Sequence, residues 1–398
     1  MKIIFLTLLD FTSYDEYNIY CDLLRELKKN GHDIYCISPV ERKRNMETHL
    51  REDGHLLKLK IGNIQKTNVI EKGISTVLIE RQFIYAIKKY FSDIKFDMIL
   101  YSTPPITLVN AVKYIKKRDN AKTYLMLKDI FPQNAVDMNM LKKTGVKGIL
   151  YKYFRRKEKN LYAISDRIGC MSKANVDYIL EHNQELTKSK VEICPNCIEI
   201  QDIKMSADER KSMREKYGIP YNKKVFVYGG NLGRPQGIPF IIECLKTQLQ
   251  NKEAFFLIVG EGTEFSKLQD FFDEMKPTNM KLMRRLSKED YDRMIVACDV
   301  GMIFLDYRFT IPNFPSRLLS YMQAGLPILA CTDKNTDIGK TITEGGFGWW
   351  CESKDVAEFK KIVIEICNMN EKMLGKSGQR YLADNYDVSK IACNLLSK

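Results

Sequence analysis

Val225-Phe-Val-Tyr228 runs straight into Gly229-Gly-Asn-Leu-Gly-Arg-Pro-Gln-Gly237, and the helical pattern Ile238–Leu245 follows at once. An apolar strand, a glycine-rich turn and a helix start, in that order, are the parts of an anion cradle. Glycines let backbone N–H groups approach a phosphate, and a helix N-terminus adds partial positive charge. The spacing is not the G-x-G-x-x-G dinucleotide fingerprint, and no G-K-[ST] follows. Neither a Rossmann dehydrogenase nor a P-loop is therefore supported. A tight structural turn is the competing reading of the loop taken alone.

Outward from this loop, short apolar runs alternate with amphipathic segments. Upstream, strand candidates are Lys2–Leu9, Asp33–Ile37, Met98–Tyr101, Thr123–Leu127 and Arg167–Met171, with helical patterns at Tyr17–Lys29, Val77–Phe91 and Ile106–Lys117. Downstream, the strand candidates are Lys224–Tyr228, Ala254–Val259, Lys281–Met283, Val300–Phe304 and Pro327–Ala330. Such alternation indicates parallel sheets covered on both faces. Pro195-Asn196 breaks the pattern and a polar segment, Ala207–Lys216, precedes its restart. At 398 residues the chain exceeds one ordinary core. The expectation is two doubly wound domains, 1–197 and 198–376, facing a central cleft at the carboxyl ends of both sheets.

Composition excludes several classes. Apolar content of 44% and charged content of 28% fit a globular chain. The apolar start ends at Asp10 without a small-residue cleavage site, and no run approaches the roughly 18 apolar residues of a membrane span. A cytoplasmic location is expected. The eleven cysteines are scattered; Cys194-Pro-Asn-Cys197 has redox spacing but no second pair for a zinc site. Of the net charge of +13, residues 1–200 carry +10, from 34 Lys/Arg and 24 Asp/Glu. An anionic surface or substrate is expected mainly on the N-terminal half. Nucleic acid rests on charge alone, since no aromatic-basic reading motif accompanies it.

Two further motifs make the pattern specific. Val259-Gly-Glu-Gly262 ends the next strand in a flexible turn, and Pro315-Ser316 opens a helix with Arg317 in its first turn. The order "VYGGNLGRPQGI", "LIVGEGTE" and "PNFPSRLLSYMQAGLPILA" resembles the donor domain of family-4 retaining glycosyltransferases of the GT-B fold. "YSTPPITL", "LMLKDIFPQNAVDMNML" and "RIGCMSKANVDYIL…EICPNCIE" resemble the branch that builds bacterial capsule and O-antigen repeat units. The resemblance implies two Rossmann-like domains and a tail, 377–398, whose helix crosses back to the N-terminal domain. It implies transfer of a sugar from a nucleotide-diphosphate donor to a lipid-linked glycan. Uridine is the implied base, and the sugar is a hexose or an N-acetylated deoxysugar.

By this resemblance the donor contacts fall on Gly230, Asn231, Gly233, Gly262, Leu286, Asn313, Phe314, Ser316 and Ser320. The chain departs from the family at key positions. The usual Glu-x7-Glu pair falls on Pro312 and Ser320, and the usual Arg and Lys of the glycine loop fall on Asn231 and Gln236. Arg234 and Arg317 are then the cations left to neutralise the leaving diphosphate, since a planar guanidinium suits phosphate oxygens. Exposed arginines on helix ends are the alternative.

Many relatives place a catalytic histidine where this chain has Lys128-Asp129. Asp129, at a strand end, is the candidate to orient or deprotonate the acceptor hydroxyl; a capping aspartate is the alternative. Acceptor contacts are expected from Asp15, Tyr17 and Asn18 in the loop Asp10–Asn18, which lacks the family's Gly-Gly pair, and from Thr103. No cofactor is expected, and no metal. The sole Asp-x-Asp, Asp290-Tyr-Asp292, reads as first-turn acids behind the cap Ser287.

Residues Leu141–Lys159 hold eight Lys/Arg against one acid, Glu158, interleaved with apolar residues. That composition suits a helix lying on an anionic membrane, with Lys142, Lys143, Lys147, Lys152, Arg155 and Arg156 as its contacts. A solvated basic helix is the alternative. Two rival functions stay open: a nucleotide-sugar 2-epimerase and a non-catalytic partner subunit.

Overall fold

The computed structural model describes residues 1–64, 67–369 and 372–396, so residues 397 and 398 of the tail lie outside it. Two compact units form. One comprises Met1–Glu199 with Val388–Lys398, the other Ile200–Asp387.

The first unit is built on β1 (Lys2–Leu6), β2 (Asp33–Glu41), β3 (His49–Leu50), β4 (Leu56–Ile61), β5 (Met98–Ser102), β6 (Lys122–Leu127), β7 (Arg167–Cys170) and β8 (Val191–Ile193). Their order in the sheet is β3-β4-β2-β1-β5-β6-β7-β8. All pairings are parallel except β3 with β4. Buried on both faces, these strands read as nearly continuous apolar runs. β4 is the exception: Leu56-Leu-Lys-Leu-Lys-Ile61 alternates, yet Lys58 is buried. The helix Ile19–Lys29 is capped by Asn18 and packs against the last helix, Val388–Leu396, whose Val388, Ile391, Ala392 and Leu395 join the core of this unit. The preceding helix, Lys372–Asn385, stays with the second unit against Gly325 and Gln323. The chain returns to the first unit at Val388, whose N–H bonds Ile198 O.

The second unit contains β9 (Lys224–Asn231), β10 (Ala254–Glu261), β11 (Met280–Met283), β12 (Val300–Phe304), β13 (Ile328–Thr332) and β14 (Gly348–Glu352), all parallel in the order β11-β10-β9-β12-β13-β14. The polar segment at 207–216 docks as the helix Ala207–Tyr217, with a Ser206/Glu209 capping box and Gly218 as its left-handed end. Its Arg214 is buried and spends its guanidinium on Asp299 and on the carbonyls of Ala297, Pro220 and Tyr221. Buried charge is tolerable only when so fully paired.

Each sheet reverses its winding direction once, between β1 and β5 and between β9 and β12. Ligands of open parallel sheets bind outside the carboxyl ends of the strands at such switch points. The loop Asp10–Asn18 leaves β1 and Thr103 follows β5, while the glycine loop leaves β9 and Asp306 follows β12. The topology itself thus selects the segments that carry the candidate residues.

Candidate active site

In the second unit, β9 ends against two tyrosines. Tyr321, on the helix Arg317–Gln323, donates its hydroxyl to Val227 O at 3.2 Å and accepts from the Gly229 N–H at 3.1 Å. Tyr291 stands next to it, the two hydroxyls 3.4 Å apart. A Cβ at Gly229 would fall 1.9 Å from its hydroxyl, so this position admits only glycine. Gly230 has φ +150°, a conformation closed to ordinary side chains, and an added Cβ there would stand 3.7 Å from Arg317 Nη2.

Arg317 therefore lies beside the glycine loop. Its Cζ sits 4.6 Å from the Tyr291 ring centroid, a cation–π stack. Among the described residues no carboxylate comes within ion-pair distance of it. A half-buried guanidinium without a counter-anion is an electrostatic vacancy for one. Arg234 stands differently. It opens the short turn Arg234–Gln236, is 55% exposed, and lies 3.8 Å from Glu264, which also pairs with Lys267 at 2.8 Å. A loose exposed pair of this kind exchanges readily.

Asn231 and Gln236, the positions where the resemblance implies cations, bond to each other. Gln236 Oε1 accepts from Asn231 Nδ2 at 2.9 Å and from the Gly233 N–H at 3.2 Å. An amide clamp thus closes the loop. Gly262 packs on the Leu232 backbone, where a Cβ would come within 2.2 Å of the carbonyl oxygen, so loop packing already accounts for that glycine. Leu286 is half-buried between β11 and the helix Lys288–Val296. Asn313 takes a 2.5 Å bond from Thr336 through its carbonyl, while its side-chain Nδ2 is buried without a partner. Phe314 packs toward Tyr386 at 6.2 Å. Ser316 precedes the helix without capping it by its side chain, and Ser320 is half-buried one turn on.

Asp290 and Asp292 are committed locally. Asp290 bonds Ser287 and Lys216, and Asp292 pairs with Lys288. The sequence reading missed Tyr291 and Arg308. The only signal for Tyr291 was a second glycine with no evident turn to make. Arg308 grips Asp306 with two bonds of 2.8 and 2.7 Å, and the Asp306 N–H bonds Pro235 O in the glycine loop.

In the first unit, Asp129 lies in the loop just after β6. Burial raises its carboxyl from the usual 3.8 to about 6, opposed by two hydrogen bonds from Asn134 Nδ2 at 2.7 and 2.8 Å. Thr103 is buried and acts on this residue: its hydroxyl oxygen takes the N–H groups of Lys128 and Asp129 at 3.0 and 3.2 Å. Its place is behind Asp129, positioning it. Lys128 bonds Cys194 O, and burial lowers its pKa. Cys194 and Cys197 are buried in the core, and neither is in a disulfide.

The loop after β1 is fixed by side chains. Lys58 Nζ reaches Asp10 Oδ1 at 2.6 Å, Phe11 O at 2.8 Å and Ser38 Oγ at 3.0 Å. Asn18 spends its side-chain oxygen on the N–H groups of Tyr20 and Cys21, and Asp15 accepts from Ser13. Tyr17 is exposed beneath the Arg25 guanidinium, 5.2 Å away. Of the acceptor candidates, Asn18 is thus occupied as a helix cap, whereas Tyr17 offers a free face.

The basic segment folds as the helix Gly145–Ile164. Lys142, Lys143, Lys147, Lys152 and Arg156 are exposed, and among the described residues none pairs with a carboxylate. Val146 is 85% and Ile149 72% exposed beside them. Arg155 corrects the expected contact set. Its guanidinium pairs with the buried Glu158 and bonds His182 O and Asn183 Oδ1, so it braces the fold and does not face out. No described helix is long and apolar enough to cross a membrane.

Residues 209–380 match the family described as Glycosyl transferases group 1. Over 323 residues the chain is 25% identical to the Probable glycosyltransferase WbjE of Pseudomonas aeruginosa, covering 81% of this chain and 78% of that one. It is 22% identical to WcaI of Escherichia coli, named as a colanic acid biosynthesis glycosyl transferase, over 61% of this chain and 59% of that one. Sucrose-phosphate synthase from Thermosynechococcus elongatus superposes with a TM-score of 0.78 at 14% identity, covering 99% of this chain and 97% of that one. HepE of Anabaena, solved in complex with UDP-glucose, does so at 0.69 and 15% identity, covering 100% and 99%. The fold is GT-B-like, residues 209–380 are a glycosyl transferases group 1 domain, and the chain is a glycosyltransferase.

Proposed function

We propose that this enzyme transfers a sugar, with retention of anomeric configuration, from a UDP-linked donor held by the second unit to a lipid-linked glycan in bacterial surface-polysaccharide assembly. The observation that carries the reading is Arg317, a half-buried guanidinium stacked on Tyr291 beside Gly230 with no anion of its own. A diphosphate supplies that anion. The unpartnered Asn313 Nδ2 is a second donor awaiting an acceptor atom. HepE, of like fold, binds UDP-glucose, and WcaI is named for colanic acid, a polysaccharide product; both support the choice of donor and pathway class.

In the reaction, the bond from the anomeric carbon to the diphosphate breaks and the acceptor oxygen bonds the same face. Arg317, with Arg234 at the loop, stabilises the leaving charge. The acceptor proton passes to the departing diphosphate or to Asp129, and alignment and electrostatic stabilisation supply the rest. The reaction needs no metal on this reading, because Asp290 and Asp292 are already engaged by Ser287, Lys216 and Lys288. The basic helix Gly145–Ile164 lies on the anionic inner face of the cell membrane, where a lipid-linked acceptor resides.

Calorimetry with UDP, GDP, ADP and TDP, in EDTA, tests the reading. UDP is expected to bind at least about tenfold more tightly than the others, with no change on adding chelator. Absence of binding to any nucleoside diphosphate would overturn it.

A further inference from the structure

A groove of about 1020 Å³ opens where β4 leaves the first sheet, between that strand and the helix Val69–Tyr90. Its wall includes Arg42, Lys60, Ile61, Ile74, Leu78 and Gln82. The helix approaches closely because Gly62 has no side chain: a Cβ there would fall 2.2 Å from Ser75 Oγ. None of these residues belongs to the machinery assigned above.

We propose that this groove holds the stem of the acceptor, an apolar chain ending in a phosphate or diphosphate. The proposal rests on the lipid-linked acceptor of the preceding section and gives it a seat. Ile74 and Leu78 lead out of the groove along one helix face with Val77 and Tyr85, all four 41–66% exposed, and the exposed Arg81 lies among them. Residues 74 and 85 lie three turns apart, so the apolar ridge runs about 16 Å. An alkyl or isoprenyl chain can lie along these four side chains.

The polar end of the groove sets Arg42, Lys43, Arg44 and Lys60 against Glu41, Glu47 and Glu71, leaving an excess of one positive charge. Arg42, Lys43 and Arg44 form one exposed turn directly after β2, and Lys60 joins them at the rim. Arg42, Lys43 and Lys60 pair with Glu71, Glu41 and Glu47 at 2.6–2.7 Å. Those contacts are solvent-accessible pairs of small net worth, so a phosphate can displace them. Arg44 has no ion-pair partner among the described residues. Gln82 Oε1 is buried without a donor, and a hydroxyl of the first sugar would supply one. Apolar ridge, basic rim and unpartnered acceptor together fit a phosphorylated lipid bearing a sugar.

The test is calorimetry of the full chain with farnesyl diphosphate, inorganic pyrophosphate and farnesol, alongside UDP. Farnesyl diphosphate is expected to bind at least about tenfold more tightly than pyrophosphate, since one buried branched-chain contact is worth that much. Leu78→Asp, at an exposed position, is expected to bring it down to the level of pyrophosphate while UDP binding is unchanged. Arg317→Ala is expected to weaken UDP and leave farnesyl diphosphate alone. Equal binding of farnesyl diphosphate and pyrophosphate, or binding that survives Leu78→Asp, overturns the groove. So does loss of farnesyl diphosphate with Arg317→Ala, which would place the ligand in the donor site. UDP binding by the unmodified chain is a separate readout, so failure of the donor reading is distinguishable from failure of the groove.

Discussion

The Arg317 guanidinium stacks on Tyr291 at 4.6 Å, and the same ring fills the space that a side chain at Gly229 would need. One tyrosine therefore fixes both the cation and the backbone it stands beside. Tyr291 sits between the two acids of Asp290-Tyr-Asp292, in a helix that otherwise reads as a surface element.

Removing the ring should weaken the donor more than the fold. Tyr291→Leu is expected to reduce UDP affinity five- to thirtyfold, the equivalent of a desolvated cation–π contact of about 1–2 kcal/mol. Tyr291→Phe keeps the ring and should stay within about twofold of the unmodified enzyme. Arg317→Lys, which retains charge but loses the planar stack, should resemble Tyr291→Leu. Titration calorimetry of the three variants decides; equal affinities throughout would detach Arg317 from the diphosphate.

The amide clamp makes a different prediction. Gln236→Ala deletes the acceptor shared by Asn231 Nδ2 and the Gly233 N–H. The group is partly exposed, so the melting temperature should hardly move. The loop loses its preset shape, and the cost of ordering it shifts to the moment of binding. UDP affinity should fall about threefold to tenfold, within reach of a thermal-shift titration. A large drop in melting temperature with unchanged affinity would make the clamp a purely structural device.

Strand-helix alternation was enough to read the two sheets, because strands buried on both faces leave apolar runs such as Val225–Tyr228. β4 escaped because Lys58 interrupts it. A buried lysine is invisible to hydropathy, and its justification lies in Asp10, Phe11 and Ser38, far away in sequence. The sequence pattern starts the helix Val69–Tyr90 only at Val77, since Glu71, Lys72, Gly73, Ser75 and Thr76 break the apolar periodicity and Ile74 is exposed. At the site, the glycine loop and Arg317 were legible from residue type and order. Tyr291, Arg308 and the positioning role of Thr103 were not, because each acts through a tertiary contact that no local pattern encodes.

Asp129 should set the acid limb of activity. Its carboxyl is raised to about 6, chiefly by burial, so turnover should climb with pH through that value as the base forms. The stability effect has the opposite sense. Folding favours the protonated form here, so stability falls as pH rises from about 4 to about 6 and is lower by a constant amount above that. Asp129→Asn should therefore lose turnover yet melt higher than the unmodified enzyme at pH 8. Asn134→Ala removes two bonds that favour the carboxylate and should move the acid limb upward. A pH-rate profile and melting curves at pH 4 and pH 8 test both signs; a flat profile would remove Asp129 from proton transfer.

The basic helix offers two neighbouring positions with opposite expected outcomes. Ile149 is 72% exposed, so Ile149→Asp should leave the melting temperature alone. It puts a charge where an acyl chain would lie, and partition onto vesicles with anionic lipid should fall about tenfold or more. Arg155 lies six residues on, but its charge serves Glu158, which is buried at 3% exposure. Arg155→Ala strands that carboxylate and should destabilise the fold by about 3 kcal/mol, the scale of breaking a buried pair. Its vesicle binding, measured below the melting transition, should be unchanged. Co-sedimentation with phosphatidylglycerol vesicles at low and high salt separates the two. If Arg155→Ala weakened lipid binding and left stability intact, the structural role given to this arginine would be wrong. If Ile149→Asp bound as well as the unmodified chain, the helix would be an ordinary solvated one.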